Sequence, residues 1–342
     1  MTTQLDAGDT TTRLDTAPTI DRGSIPRRVL KFVEAYALLL MIVAVCIFFA
    51  VLPATSDTFL TAANMRILLA NQVVPAIIAL GALLPLVCRE FDLSVGAIMG
   101  VTAVFVASML SGTVSVPVAL LGGLAIGSLV GVFNALLVTK AKVNGVVATL
   151  GTSTLVAGVV AQKTGGQAIV GDIPAVVTNF GSGTVLGIPT VAWALVIVAA
   201  AVYFALEHTP YGRQLQALGS NATAAALVGL RTRMLIGSTY VLAGLLAAIA
   251  GIIYVSRAGG TDPSVGPAFT MTGLAAAFLS AAAVRPGTFN VWGTIIAVFF
   301  LAVLNNGLSL AGAPPHVADY VNGGALIIGV ALATFLWRRR SE

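Results

Sequence analysis

Ten apolar stretches, each bounded by polar or turn-forming residues, divide this chain. They cover 36–52, 72–88, 93–110, 116–139, 146–161, 190–206, 235–255, 272–284, 291–310 and 320–337. An α-helix rises 1.5 Å per residue, so roughly 20 apolar residues cross the ~30 Å hydrocarbon core of a bilayer. All but one of the stretches approach that length. The exception, 272–284, is too short to span alone. It is expected either to extend at one end or to form a broken, re-entrant helix covered by protein. Within lipid, only helices and closed barrels satisfy their own backbone hydrogen bonds. The pattern therefore predicts an all-α fold, a polytopic transmembrane helical bundle of about ten spans. A polar tail is expected over 1–34, with a mobile Thr-rich stretch over 2–16, then a membrane domain over 35–337 and a basic terminus over 338–342. The first stretch has too long a leader and too long an apolar core for a signal peptide, so it reads as an uncleaved anchor.

Composition agrees. Hydrophobic residues make up 58% of the 342 and charged residues 9%, with a mean hydropathy of +0.98. A soluble domain carries about 25% charge, so this chain has too little polar surface to coat a water-soluble body. The 36 glycines suit helices packed through small residues. The net charge of +5 is not gathered into an aromatic-flanked patch, and no nucleic-acid partner is expected. Its cations stand at the ends of apolar stretches instead. With the N-terminus inside, fifteen of the eighteen Lys and Arg residues fall in inner segments, and only Arg66, Lys163 and Arg257 fall outside. One missed span would scramble that split, which supports ten spans with both termini cytoplasmic. Cys46 and Cys88 are distant in sequence and are expected to pack; His208 and His316 are isolated, so no metal site is expected.

Two connections look alike. Arg89-Glu90-Phe91-Asp92-Leu93-Ser94-Val95-Gly96 opens one apolar stretch, and Arg285-Pro286-Gly287-Thr288-Phe289-Asn290-Val291-Trp292-Gly293 opens another. Each sets Arg, Phe, a short polar residue and Gly ahead of a helix. An internal repeat with broken helices, a common device of transporters, is one reading of this short match; chance similarity between two apolar segments is the other.

The first connection is the densest polar cluster between stretches. Asp92 and Ser94 are both able to cap the helix that follows, and ionisable residues at a break within a bundle mark a solute path or a structural lock. The uncharged polar residues Asn71, Asn134, Asn144, Thr149 and Asn305 join Asp92 and Ser94 as the candidate substrate pathway. Interhelical hydrogen bonding is the alternative role for them, as for Gln72, Thr152, Ser153 and Asn306. No chain of carboxylates or histidines runs through the stretches, which argues against an ion-coupled pump and suits a neutral, hydroxyl-rich solute. A second cluster is the segment 207–233. Here Pro210 and Gly212 are expected to break the chain, Gly219-Ser220-Asn221 to turn and cap it, and Ala222 to Val228 to form a short helix stopped at Gly229. That order of break, cap, helix and stop fits a docking element for a partner's groove. The chain has no Gly-Lys dipeptide and hence no Walker A loop. Any ATP-driven motion must come from a separate subunit.

At these two clusters the chain resembles the permease subunits of bacterial ABC importers for sugars of the ribose/xylose/arabinose type. Phe91-Asp92-Leu93-Ser94-Val95-Gly96 is similar to that family's Asp-Leu-Ser-Val-Gly signature, preceded by Ala79-Leu80-Gly81. Thr149-Leu150-Gly151-Thr152 resembles its Ala-Thr-Leu-Gly element. Thr209-Pro210-Tyr211-Gly212-Arg213, with Ala217-Leu218-Gly219-Ser220-Asn221, Ala224-Ala225 and Gly229, resembles its ATPase-contacting loop. Two departures stand out. Ser280-Ala281-Ala282-Ala283-Val284-Arg285-Pro286-Gly287 stands in place of a frequent Gly-Gly pair and Gly-rich turn, and Thr223 replaces a frequent acidic residue. The resemblance implies a non-enzymatic permease in the bacterial inner membrane. It would work as a homodimer or with a sister permease, bound to ABC ATPase subunits and fed by an extracytoplasmic solute-binding protein. ATP and Mg would belong to the ATPase, with no cofactor in this chain, and Tyr211, Gly212, Arg213, Gly219, Asn221, Ala224, Ala225 and Gly229 would couple the two. The expected solute is a monosaccharide such as a pentose. A nucleoside, polyol or branched-chain amino acid stays open, as does an ion-coupled secondary transporter.

Overall fold

A computed structural model of the protein describes residues 27–341, with side chains over 36–335. Along the chain run α1 (Arg27–Val51), α2 (Ser56–Phe59), α3 (Ala62–Asn71), α4 (Val73–Val87), α5 (Val95–Leu110), α6 (Val116–Thr139) and α7 (Gly145–Thr164). There follow β1 (Ile169–Val170), α8 (Ala175–Ser182), β2 (Thr184–Val185), β3 (Ile188–Pro189) and α9 (Thr190–Tyr203), the last continued by a π-helical turn (Phe204–His208). Next come α10 (Pro210–Ser220), α11 (Ala222–Leu227), α12 (Thr232–Ala258), β4 (Gly260–Thr261) and α13 (Val265–Leu279), with a 3₁₀ turn (Ser280–Ala282). Finally come α14 (Val291–Leu310) and α15 (His316–Ser341). Helix α1 begins inside the stretch expected as a tail. The Thr-rich segment 2–16 lies outside the described residues, as do the side chains of 338–342.

Among the described residues, eight helical segments are long and apolar enough to cross a membrane. Two shorter apolar helices, Tyr36–Val51 and Val95–Leu110, stand where the first and third stretches were predicted. The chain is a multi-pass helical membrane protein. The stretches 116–139 and 291–310 coincide with α6 and α14. The second starts earlier than predicted, because Ala62–Val87 forms one apolar segment in two parts, α3 and α4, meeting at Gln72. Met65, Arg66 and Asn71 hide that start in the pattern, but Thr61 caps it by accepting from the Asn64 N–H at 3.2 Å. The short eighth stretch extends at its N-terminal end to Val265. Its added turn contains Gly266 and Pro267, and Pro is tolerated there because first-turn amides have no helical partner.

The core centres on α4, where nearly every residue is buried. Helix α12 packs along α4, α5 and α6. Between membrane helices no hydrophobic push exists, so small residues must let the backbones approach. A Cβ on Gly127 would meet the Gly244 carbonyl oxygen at 2.6 Å, and one on Gly131 would meet that of Tyr240 at 2.6 Å. Large apolar side chains that no protein covers, such as Leu121, Leu129, Ile197 and Ile327, lie on α6, α9 and α15. Those faces belong to lipid or to a further chain.

The connections sort to two ends. One end carries the β2–β3 hairpin and the β1–β4 pairing, Ile169 opposite Thr261. It is tied by the Ser111 hydroxyl donating to the Gly171 carbonyl at 3.1 Å and by Arg257 donating to the Asn71 side-chain oxygen. The opposite end gathers 88–94, 140–144, 207–233 and 283–290. There the Arg285 guanidinium grips both Glu207 oxygens, at 2.8 and 2.7 Å.

Candidate functional site

The connection 88–94 is built around a carboxylate with no exposure. Pro85 sits near the C-terminus of α4, and its carbonyl accepts from both Cys88 N–H, at 2.9 Å, and Glu90 N–H, at 3.0 Å. Arg89 then turns the chain at φ 63°. Asp92 Oδ1 accepts from Ser94 N–H at 2.8 Å and from the Ser94 hydroxyl. That hydroxyl accepts in turn from Asn134 Nδ2 at 2.7 Å. The Ser94 side chain is thus occupied by Asp92 and Asn134 and does not cap α5, contrary to the expectation for it.

Four helices clamp this turn. From α7, the Thr149 hydroxyl accepts from Leu93 N–H at 3.0 Å and the Ser153 hydroxyl donates to the Leu93 carbonyl at 3.0 Å. From α12, the Tyr240 hydroxyl donates to the Phe91 carbonyl at 3.1 Å and lies 3.4 Å from Glu90. From α13, Thr270 Oγ1 accepts from Gly96 N–H at 3.1 Å, and α6 supplies Asn134. Asp92, Ser94, Asn134 and Thr149 are all fully buried. Asp92 Oδ2 and Asn134 Oδ1 nevertheless have no hydrogen-bond partner. Burial raises the Asp92 pKa to about 6, opposed by the two Ser94 hydrogen bonds, and raises that of Glu90 as well. Beside the clamp, a groove of about 340 Å³ opens between α5, α7 and α13, lined by Leu93, Ser153, Thr154, Gly266 and Thr270.

Of the predicted pathway residues, four therefore meet in one cluster. Asn144 lies next to it as the N-cap of α7, accepting from Val146 N–H at 3.0 Å. Asn71 and Asn305 do not join. Asn71 is exposed at the hairpin end on Arg257, and Asn305 donates to Asn322 at 3.3 Å between α14 and α15. Tyr240 and Thr270 were missed. Tyr240 is one of two tyrosines inside the run 235–255, with Tyr254, and the pattern does not separate them, whereas Thr270 fell outside the predicted eighth stretch.

The segment 207–233 is more ordered than expected. The break comes where Pro210 was expected to make it, Thr209 being extended at φ −110° and ψ 159°, but Gly212 lies inside a helix and does not break the chain. Pro210 stands in the first turn of α10, where it needs no amide partner, and Thr209 caps that helix by accepting from Gly212 N–H at 3.4 Å. Gly212 and Gly219 are glycine because backbone presses on them. A Cβ on Gly212 would overlap the Leu206 carbonyl, and one on Gly219 would overlap the Val87 carbonyl at the end of α4. The Tyr211 and Ser238 hydroxyls share a 2.9 Å hydrogen bond, joining α10 to α12. Asn221 caps α11 by accepting from Ala224 N–H at 2.9 Å, and Gly229 follows that helix at φ 82°. Ala225 is buried, while Arg213, Ala224 and Leu227 are exposed. The second connection also centres on a buried polar residue but, unlike the first, caps its helix: Asn290 accepts from Gly293 N–H at 2.7 Å and donates to the Ala283 carbonyl at 3.0 Å. No group of three or more His, Cys, Asp or Glu able to hold a metal ion occurs among the described residues.

Residues 64–330 match the family model described as branched-chain amino acid transport system / permease component. The ribose import permease protein RbsC of Escherichia coli strain K12 is 32% identical over 292 residues, 84% of this chain and 91% of that one. The autoinducer 2 import system permease protein LsrC of Salmonella typhimurium strain LT2 is 33% identical over 306 residues, 88% of this chain and 86% of the relative. RbsC of Haemophilus influenzae is 30% identical over 301 residues, covering 87% and 93%. No solved structure matches.

Proposed function

The chain belongs to the family of branched-chain amino acid transport system permease components, and from that premise we propose that it is the permease subunit of an ABC importer for a monosaccharide. The relatives that import ribose and autoinducer 2 favour a polyhydroxylated solute over a branched-chain amino acid. Its place is then the bacterial inner membrane, with about ten spans and both termini cytoplasmic. Two copies, or this chain and a sister permease, face each other across the groove between α5, α7 and α13. The groove is mostly apolar, and its Ser153, Thr154 and Thr270 hydroxyls are engaged with Leu93, Leu150 and Gly96 backbone, so they would meet a sugar only as the helices re-pack. ATP and Mg belong to partner ATPase subunits, and a solute-binding protein delivers the sugar to the hairpin end.

One observation carries this reading. Gly219 of α10 lies directly on the Val87 carbonyl, immediately before the connection that holds Asp92. A push on α10 and α11 by an ATPase therefore reaches the clamped turn through backbone, with no flexible side chain to absorb it. Exposed Arg213, Ala224 and Leu227 are the surface offered to the ATPase, while Ala225, Gly212 and Gly219 seat the segment on the bundle. Asp92, Ser94, Asn134 and Thr149 hold the turn whose re-packing opens the path. Asn144 borders it, while Asn71 and Asn305 stand apart from it on Arg257 and Asn322. The paired connections support an internal repeat with broken helices. The test is reconstitution in vesicles with and without the cognate ATPase. Sugar uptake should require both ATPase and ATP. Uptake by the permease alone, driven by a proton or sodium gradient, would overturn the proposal in favour of a secondary transporter.

A further inference from the structure

We propose that Pro85 is the pivot about which the last turn of α4 tilts when α10 is pushed. It is a positioning residue, acting through the turn that holds Asp92, and its role rests on the reading of the chain as an ATP-driven permease. Pro85 stands inside α4, in its last turn. Proline brings no N–H, so the Gly81 carbonyl one turn earlier lacks its helical donor, and helices bend at such a gap. Different neighbours hold the two sides of the gap. On the earlier side α4 is seated in the bundle. A Cβ on Gly81 would touch the Ala243 carbonyl of α12 at 3.4 Å, and one on Gly273 of α13 would meet the Ile78 side chain at 2.6 Å. On the later side the Pro85 carbonyl gathers the Cys88 and Glu90 amides, at 2.9 and 3.0 Å, into one folded unit that leads to Asp92. Gly219 of α10 bears on Val87 and Cys88, both beyond the gap.

A pivot also needs space, and the structure provides it at this turn. A cleft of about 410 Å³ opens there, lined by Leu86, Val87, Gly219, Gly287, Thr288 and Phe289. Earlier along α4 every residue from Val73 is buried. Close-packed interiors do not deform smoothly, so sliding the whole helix would over-pack it against α12 and α13. One turn can tilt along the cleft instead. That tilt draws Leu93 away from Thr149 and Ser153, each of which holds it through a 3.0 Å hydrogen bond, and the clamp opens.

Alanine at position 85 returns an amide to the Gly81 carbonyl and closes the gap. Full-length P85A, reconstituted with its ATPase subunits, should hydrolyse ATP at a similar rate while the sugar moved per phosphate released falls several-fold. P85G also regains the amide, but its backbone bends freely, and it should recover most of that ratio. A merely structural role predicts the reverse order, because Gly weakens a helix more than Ala does. If P85A does not fold, T288W fills the cleft beside Val87 with α4 intact and should lower the ratio likewise. An unchanged ratio in P85A, or in T288W where P85A does not fold, overturns the pivot, as does a P85G value at or below that of P85A. Native uptake that needs no ATPase would overturn the permease reading itself, a result distinct from these.

Discussion

Gly219 shows how a single missing side chain does structural work. Its replacement by Ala sets a Cβ against the Val87 carbonyl, and backbone there has little room to yield. Over-packing of this kind costs about 1–3 kcal/mol. G219A is expected to lower the melting temperature modestly and to leave ATP hydrolysis running while uptake falls, read as the ratio of sugar moved to phosphate released. Asp92 makes a different prediction. Its carboxyl is raised from 3.8 to about 6 mainly by burial, so between those values the folded chain holds a proton that the unfolded chain has lost. Stability from this group is therefore greatest at low pH, falls as pH rises through that window and is flat above it. Thermal melts of D92N should lose that slope; an unchanged slope would show that Asp92 is not its source. Both residues were named from the sequence. Ser94 and Asn134 were named too, but not that Val87 lies against Gly219, nor that Asn134 on α6 reaches the Ser94 hydroxyl that holds Asp92.

At the scale of elements, the segment 207–233 is a seated platform of two helices and not a single helix after a broken loop. Gly212 looks like a breaker because local propensity is all that a sequence window contains, whereas Pro210 does stand at a break, after extended Thr209. In the fold, Pro210 starts α10 and Gly212 accommodates the Leu206 carbonyl. The platform is held by the Tyr211–Ser238 hydrogen bond and the Glu207–Arg285 ion pair. Arg285 is largely exposed, and such pairs contribute only about 0–1 kcal/mol to stability. E207K should hardly move the melting temperature but should depress coupled uptake, and E207K/R285E should restore most of it. Failure of the swap to rescue would assign the defect to the ATPase surface and not to the clamp between 207 and 285.

For the whole molecule, the two ends make an orientation prediction. In a background lacking Cys46 and Cys88, R213C should be labelled by a membrane-impermeant maleimide only in inside-out vesicles, and K163C only from outside. Labelling of R213C from outside would place the platform out of reach of any ATPase. Hydrophobic stretches of span length and scarce charge already determined a multi-pass helical bundle, and the bias of Lys and Arg predicts this orientation, because each is a sum over many residues facing one solvent. The stretch 116–139 is even bounded as α6 is. The tertiary structure alone decided that Asp92, Ser94, Asn134 and Thr149 converge while Asn71 and Asn305 stay apart, that Tyr240 and Thr270 close the clamp, and that α3 and α13 prolong two spans. Contacts between helices distant in sequence leave no periodic trace in either strand of the pair. They arise only when backbones pack closely enough for a hydroxyl on one helix to reach a turn on another.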